Sequence, residues 1–198
     1  MTTTTDLTAG MVERFRDGFD RAVAAGVPEP TAMTLATVDA SGRPTARTVL
    51  LKDMDEQGFV FYTNLESRKG RHLNACPDVA LVFWWRELAE QVLVEGRVEA
   101  VSNEEADAYF ASRPRGSQIG AWASLQSSEL PSRQDLLDRV REYEQRYAGQ
   151  DVPRPPHWSG YRVKPRQVEF WYGRESRLHE RVCYRHVAGD WQETLLYP

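Results

Sequence analysis

The chain has 198 residues, of which 41% are hydrophobic, and it carries a formal net charge of −4. This length favours a single folded domain, and the acidic balance gives no overall positive field that would attract nucleic acid. No apolar run approaches the length of a membrane span. The two cysteines, Cys76 and Cys183, form neither a C-x-x-C motif nor a disulfide framework, which indicates a reducing, cytoplasmic environment.

The N-terminal segment, residues 1–10, lacks the charged and apolar regions of a signal peptide, and we interpret it as a disordered lead-in. Residues 11–198 are then predicted to form one domain. Its first element is a helix, because Met11, Phe15 and Phe19 recur at helical spacing before Gly26 provides a stop.

Eight later segments have the composition and the flanking turns of β-strands. They are residues 32–38, 45–51, 59–64, 79–85, 90–101, 160–173, 181–187 and 191–196. The first connections are too short for crossover helices, so the strands are predicted to pair antiparallel.

Three helices separate these strand groups. Ser67 is a predicted N-cap for a short helix, and Ser102 with Glu105 forms a capping box. Residues 132–147 predict an amphipathic helix. Its expected inner face carries Leu136, Leu137, Val140 and Tyr143. Because the strands occur in consecutive groups, the predicted class is α+β, an antiparallel sheet that closes into a small barrel with flanking helices.

A first candidate anion site lies in the segment YTNLESRKG. Arg68 and Lys69 occupy the first turn of the helix capped by Ser67, where the helix dipole disfavours cations unless an anion also binds. Free N–H groups and these two side chains would hold a phosphate, although a solvated basic patch is the alternative. The segment RTVLLK places Arg47 and Lys52 on opposite faces of a strand, which alone is typical of strand-end charges.

A second candidate lies in the stretch around SRPRGSQIGAW. Tyr109 and Arg113 are four residues apart and share a predicted helix face, with Ser117 just beyond. An arginine, a phenol and a hydroxyl that converge would also hold an anion. The alternative is a loop that precedes the next helix, with Trp122 filling the core. Arg115 is expected to be solvated.

A third basic cluster follows Trp171. Arg174 is close by, and Arg177, His179 and Arg181 alternate, so they would share one face if extended. A solvated strand edge is the alternative.

The common nucleotide motifs G-x-G-x-x-G and G-x-x-x-x-G-K-[ST] are absent. Cys183 and His186 are three apart on a predicted strand and face opposite ways, so no metal site is predicted. Two phosphate sites indicate two phosphorylated ligands, a cofactor and a substrate, which favours an enzyme over a simple binder.

Taken together, these segments resemble the pyridoxine/pyridoxamine 5′-phosphate oxidase family. The matching motifs include RTVLLK, GFVFYTNLESRKG, SRPRGSQIGAW, LQSSEL and RLHER, and they follow the family's order over residues 32–191. The resemblance implies an FMN-binding split β-barrel that forms a homodimer, with FMN across the subunit interface. It also implies oxidation of pyridoxine or pyridoxamine 5′-phosphate to pyridoxal 5′-phosphate, with dioxygen reduced to hydrogen peroxide.

The resemblance further assigns residues by position. FMN would be bound by Arg47, Thr48, Val49, Leu50, Leu51, Lys52, Tyr62, Thr63, Arg68, Lys69, Gln91, Gln126, Ser127, Trp171 and Arg181. The substrate would be bound by Lys52, Tyr109, Arg113, Ser117, Arg177, Leu178 and His179. Arg177 and His179 would be the catalytic residues.

This chain departs from the family pattern at Glu90, Tyr172 and Leu195. Two alternative functions therefore stand beside the oxidase. One is a split-barrel flavin oxidase that acts on another ring compound, as in phenazine pathways. The other is a non-catalytic protein that carries flavin or pyridoxal phosphate.

Overall fold

The computed structural model describes residues 6–198, which fold into a nine-stranded antiparallel sheet flanked by five α-helices. The strands are β1 (Ala32–Val38), β2 (Pro44–Leu50), β3 (Asp53–Asp55), β4 (Gly58–Asn64), β5 (Asp78–Trp85), β6 (Glu90–Ala100), β7 (Trp158–Tyr172), β8 (Glu180–Val187) and β9 (Asp190–Leu195). The α-helices are α1 (Ala9–Ala24), α2 (Arg68–Ala75), α3 (Asn103–Ser112), α4 (Arg115–Ala123) and α5 (Arg133–Arg146). The predicted α+β class is confirmed. Within this described part of the chain, no helix is long and apolar enough to cross a membrane.

The sheet runs in the order β2-β1-β5-β6-β7-β4-β3, and β8 and β9 extend from β7. Strand β7 changes its neighbour along its length: residues 158–163 pair with β4, and residues 167–172 pair with β8. This change splits the sheet along β7. A β-bulge between Glu95 and Gly96 lies beside the split. A Cβ at Gly96 would lie 2.3 Å from the Lys164 carbonyl oxygen, so only glycine fits there.

The main core lies between helix α1 and the sheet. The Phe15 ring of α1 contacts the rings of Phe59 and Phe83 edge-on, with centroids 5.2 Å apart in each case. Edge-to-face aromatic pairs stabilise a core beyond the effect of their buried area. Trp85 is also buried, and its Nε1 donates to the Pro30 carbonyl at 3.0 Å.

A smaller apolar cluster joins α3, α4 and α5 to the start of β7. It contains Phe110, Ile119, Tyr147, Val152 and Trp158. This cluster fixes the helices that face β2 and β4, and so it positions one wall of the candidate site.

The N-terminal segment, residues 1–10, differs from its prediction as a disordered lead-in. Residues 1–5 lie outside the described residues, but Leu7 is buried in the core and α1 begins at Ala9 with Thr8 as its N-cap. Trp191 Nε1 donates to the Asp6 carbonyl at 2.8 Å. The ordered domain therefore begins before residue 11, because an apolar side chain and a backbone hydrogen bond tie this segment to the barrel.

The predicted helix caps are confirmed. Ser67 Oγ accepts from Gly70 N at 3.3 Å, and Ser102 Oγ accepts from Glu105 N at 3.1 Å. Strand β3 and helix α4 were not predicted. Helix α5 has the predicted extent within one residue at each end. Its expected inner face is confirmed in part: Leu136, Val140 and Tyr143 are half-buried, and Val140 and Tyr143 pack against the smaller cluster, whereas Leu137 is 40% exposed.

Candidate active site

A cleft of about 500 Å³ opens where β2, β4 and the start of β7 face helices α2, α3 and α4. It is lined by Arg47, Thr48, Val49, Leu50, Lys52, Tyr62, Thr63, Asn64, Lys69, Tyr109, Arg113, Ser117, Gly120, Ala121, Ser124, Gln126 and Trp158. Four of these side chains are cationic and none is a carboxylate. The cleft therefore presents a positive field to an anionic ligand.

Arg47 is held on β2 by acceptors from its own strand and from β1. Its Nη1 donates to Thr37 Oγ1 at 2.7 Å and to the Leu35 carbonyl at 3.0 Å, and its Nη2 donates to Thr45 Oγ1. Burial and the nearby Arg68 cation lower the pKa of Arg47. A bound anion would relieve both effects.

Lys69 approaches the cleft from the first turn of α2. Its Nζ donates to Gln126 Oε1 at 2.8 Å, and Thr63 Oγ1 donates to the same oxygen at 3.3 Å. Burial and the Arg47 cation lower the pKa of Lys69. Of the two residues predicted to bind an anion at this helix, Lys69 lines the cleft, whereas Arg68 is exposed and does not.

Arg113 is the third cation and has a different environment. Its guanidinium lies 4.7 Å from the Trp158 ring centroid and 5.6 Å from that of Phe110. Its Nη1 is buried and has no hydrogen-bond partner among the described residues. Burial lowers the pKa of Arg113. A buried donor without an acceptor costs free energy, so this nitrogen favours a ligand oxygen.

Stacked aromatic rings form a wall of the cleft. Tyr62 stacks on Tyr109 at 4.0 Å and on Trp158 at 5.3 Å. Burial, together with the nearby Glu105 carboxylate, raises the pKa of Tyr62 to about 12, so the phenol stays protonated at neutral pH. Gly160 makes room for this stack, because a Cβ there would lie 2.7 Å from the Tyr62 ring.

Most of the predicted ligand-binding residues of β2, β4 and the helices are brought together here. Arg47 and Lys52 were predicted on opposite faces, yet both line the cleft. The strand alternation stops because β2 ends at Leu50 and the Lys52 N–H bonds to the Val60 carbonyl at 2.8 Å. Leu51 is buried in the core and does not line the cleft. Ser127 is exposed at a positive φ of 73° and also lies outside the lining.

The remaining predicted residues form a second group on β6, β7 and β8 and in the turn between β7 and β8. Its members are Gln91, Trp171, Arg177, Leu178, His179 and Arg181. Gln91 lies opposite Trp171, and Trp171 lies opposite Arg181. The His179 ring centroid is 4.5 Å from that of Trp171, and His179 Nδ1 accepts from the Arg174 N–H at 3.2 Å. No member of this group lines the cleft.

The expected common face of Arg177, His179 and Arg181 is wrong. Ser176 and Arg177 have positive φ values of 54° and 61° in a tight turn, so the segment is not extended. Arg177 and Leu178 are exposed. Arg181 instead turns toward the buried Glu169 carboxylate, to which its Nε and Nη2 donate at 2.7 and 3.0 Å.

Two residues near the cleft have structural roles that the sequence did not reveal. Arg115 is not simply solvated: it donates to the carbonyls of Tyr147 and Gln150 at 2.6 and 3.0 Å and so ties α4 to the end of α5. Trp122 is half-buried, and its Nε1 donates to the Pro153 carbonyl at 2.7 Å. Trp158 was missed as a cleft residue, because a tryptophan that begins a strand is typical of a core.

Two of the departures from the family pattern are partners in the sheet. Glu90 lies opposite Tyr172 in the β6–β7 register. Glu90 also forms a two-pronged ion pair with Arg21 of α1, which raises the pKa of Arg21. The reversed charge at Glu90 therefore has a partner within the same chain.

Comparison with known proteins places this chain in a family. The profile described as pyridoxamine 5′-phosphate oxidase matches residues 19–172. The chain belongs to the pyridoxine/pyridoxamine 5′-phosphate oxidase family. A second profile, the C-terminal dimerisation region of pyridoxine 5′-phosphate oxidase, matches residues 158–198.

Curated members of the family are similar over nearly the whole chain. The pyridoxine/pyridoxamine 5′-phosphate oxidase of Myxococcus xanthus strain DK1622 is 60% identical over 187 residues, which cover 94% of this chain and 91% of that protein. The protein of the same name from Cupriavidus necator is 56% identical over 195 residues, which cover 98% and 92%.

Solved structures share the fold. PhzG from Burkholderia lata 383, crystallised with tetrahydrophenazine-1-carboxylic acid, has a TM-score of 0.90 and 33% identity, covering 94% of this chain and 92% of that one. An FMN-binding, pyridoxamine 5′-phosphate oxidase-related protein from Nostoc punctiforme has a TM-score of 0.75 and 16% identity, covering 93% and 97%, and it shares the fold. The split-barrel prediction is confirmed.

Proposed function

We propose that this protein is an FMN-dependent oxidase that converts pyridoxine or pyridoxamine 5′-phosphate into pyridoxal 5′-phosphate. The observation that carries the proposal is one acid-free cleft with two separately built sets of cations. Arg47 and Lys69 come from β2 and α2, whereas Arg113 lies at the corner between α3 and α4. Two sets suit two phosphorylated ligands, a cofactor and a substrate.

The first set fits FMN. Arg47 and Lys69 are cations partly removed from water, and such groups favour a bound anion. They would hold the FMN phosphate, with the Gln126 amide and Thr63 hydroxyl beside them. FMN, when bound, would supply the acceptor for a hydride from C4′ of the substrate and would pass the electrons to dioxygen, which would yield hydrogen peroxide.

The second set fits the substrate phosphate. Arg113 offers a buried Nη1 that lacks a protein acceptor. Ser117, in the first turn of α4, and the Tyr109 phenol line the same cleft as Arg113. Lys52 adds a further cation. These groups would bind the phosphate and orient the ring, and the Tyr62 and Trp158 rings would exclude water from one side.

We infer that a homodimer completes the site, with FMN at the subunit interface. The residues of the second group do not line the cleft of the same chain, and most of them fall within the match to a C-terminal dimerisation region. The same region exposes apolar side chains: Leu178 is 71%, Leu195 75% and Tyr197 95% exposed. In the dimer, Arg177 would stabilise charge that develops on the substrate, and His179 would hold or move a proton at the C4′ oxygen or amine.

Both cysteines are free thiols. This supports the cytoplasmic location that the sequence predicts.

The function can be tested by an anaerobic visible spectrum of the FMN-loaded protein, recorded before and after addition of pyridoxine 5′-phosphate. The flavin absorption should bleach under anaerobic conditions, with one pyridoxal 5′-phosphate formed for each flavin reduced. The absorption should return when air is admitted. Pyridoxine without the phosphate is the matched control and should not bleach the flavin at the same concentration.

Bound FMN that is bleached by neither phosphorylated substrate would contradict the proposal. Reduction by a tricyclic ring compound would then favour the alternative oxidase, for which the 33% identity to PhzG is the supporting observation. If no ring compound reduces the flavin, the result would favour a non-catalytic protein that carries flavin or pyridoxal phosphate.

A further inference from the structure

A buried histidine lies behind the cleft, outside every role described so far. His72 is on the inner face of α2 and is 8% exposed. Its Nδ1 lies 3.3 Å from Thr37 Oγ1 of β1, and Thr37 is 2% exposed. Neither side chain lines the cleft.

Thr37 connects this histidine to Arg47. The Thr37 hydroxyl accepts from Arg47 Nη1 at 2.7 Å, so its own proton is free to be donated elsewhere. The neighbouring acceptors are His72 Nδ1 at 3.3 Å and Thr45 Oγ1 at 3.4 Å. Thr45 Oγ1 already accepts from Arg47 Nη2. Since Thr45 Oγ1 is already bonded to the guanidinium, His72 Nδ1, when unprotonated, is the acceptor open to the Thr37 proton.

The charges around His72 favour its neutral form. Arg68 and Arg71 lie on its own helix and Arg47 on β2, while Asp39, just after β1, is the one opposing acid among the charged groups that affect it. Burial lowers the pKa of His72, and these cations lower it further. A neutral ring with an unprotonated Nδ1 can accept from Thr37.

We propose that His72 is a positioning residue: through the Thr37 hydroxyl it holds Arg47 in the orientation that binds the anion in the cleft. An apolar side chain of similar size would fill the same space, but it would leave Thr37 free to turn its proton toward Arg47. This inference rests on the proposed function, because it takes the cleft anion to be FMN.

The test measures FMN affinity of the apo-protein by quenching of flavin fluorescence, beside the thermal midpoint of each variant. His72→Phe and Thr37→Val should each weaken FMN binding about 3- to 10-fold, the value of one hydrogen bond. The double variant should be no weaker than the worse single variant, because both changes break the same connection. His72→Asn, which places an amide oxygen near the position of Nδ1, should restore most of the affinity.

His186→Phe is the control, since His186 contacts Trp191 on β8 and β9 and belongs to neither group of site residues. It should change the thermal midpoint without changing FMN affinity. If His72→Phe does not fold, Thr37→Val carries the test, since it is nearly isosteric.

Unchanged FMN affinity in folded His72→Phe or Thr37→Val overturns the inference. A merely structural role for His72 is shown instead if the two changes add, or if Asn fails to restore affinity while the thermal midpoint recovers. Wild-type protein that does not bind FMN at all would count against the proposed function itself.

Discussion

The cleft and the second group of site residues differ in how their side chains are held. In the cleft, Arg47 has three acceptors, Lys69 is bonded to Gln126, and Arg113 rests on Trp158. In the second group, Arg177 is exposed on a turn with positive φ, and it is followed by Leu178, which is 71% exposed.

From this difference we expect the two regions to reach their ligand-binding form by different routes. The cleft is preorganised by contacts within one chain, so its cations need only a ligand. The Arg177 side chain is exposed and makes no hydrogen bond or ion pair with the described residues, and we expect a second protomer to order it. The following predictions test this contrast, beginning with the largest effect.

Arg113→Met should lower kcat/KM for pyridoxine 5′-phosphate about 100-fold, because charge-assisted hydrogen bonds are worth about 1.5–3 kcal/mol. FMN affinity should stay within about twofold. Steady-state kinetics and a flavin titration provide the measurements. Arg115→Met is the matched control from the same stretch: it should lower the stability, through lost bonds to backbone carbonyls, but keep kcat/KM. Equal kinetic losses in both variants would contradict the role of Arg113.

Arg177→Leu and Arg113→Met should complement each other when both chains are co-expressed with different tags and the heterodimer is isolated. One of its two sites would combine an intact cleft with an intact Arg177, so about half of the wild-type activity should return. Each homodimeric variant should remain nearly inactive. A heterodimer no more active than the two variants would show that Arg177 serves the cleft of its own chain.

Gly160→Ala should destabilise the cleft wall, because the new Cβ would lie 2.7 Å from the Tyr62 ring and force the aromatic stack apart. We expect a loss of about 1–3 kcal/mol in the free energy of unfolding and a raised KM. Urea unfolding and kinetics would measure both. Gly116→Ala on α4 meets open space and should be neutral or slightly stabilising. The prediction fails if the two alanine variants behave alike.

The smallest expected effect is that of His72 on how stability depends on pH. The unfolded chain takes up a proton at the ordinary histidine pKa of about 6.5, whereas folded His72 does so at a lower pH. Its contribution to stability is therefore present above that value and is lost as the pH falls through the folded pKa. Urea midpoints measured at several pH values should fall less steeply in His72→Asn than in the wild type. Identical slopes would contradict the shifted pKa.

Much of the fold could be predicted from the sequence where local signals agree. Strand β1 has the predicted bounds, and the caps at Ser67 and Ser102 are confirmed. Helix α4 was missed because Pro114, Gly116 and Gly120 are typical of a loop, although proline at a helix N-terminus costs little.

Periodicity by itself could predict only part of the site, and Tyr62, Thr63 and Gln126 were assigned only through the resemblance to the family. Arg47 and Lys52 were assigned to opposite faces because nothing in RTVLLK shows that the strand stops at Leu50. The turn at Ser176 and Arg177 escaped notice because neither residue is a glycine, and a positive φ at other residues has no clear sequence signal. Contacts between distant segments, such as Arg113 with Trp158, depend on the tertiary fold.

Strand β7 connects the cleft to the second group of site residues. It begins at Trp158, in the cleft wall, and ends beside Trp171, in the second group. At about 3.3 Å per residue, these two tryptophans are separated by roughly 40 Å of strand. The cleft wall and the second group therefore lie at opposite ends of one strand. We expect the two groups to meet between two copies of the chain rather than within one.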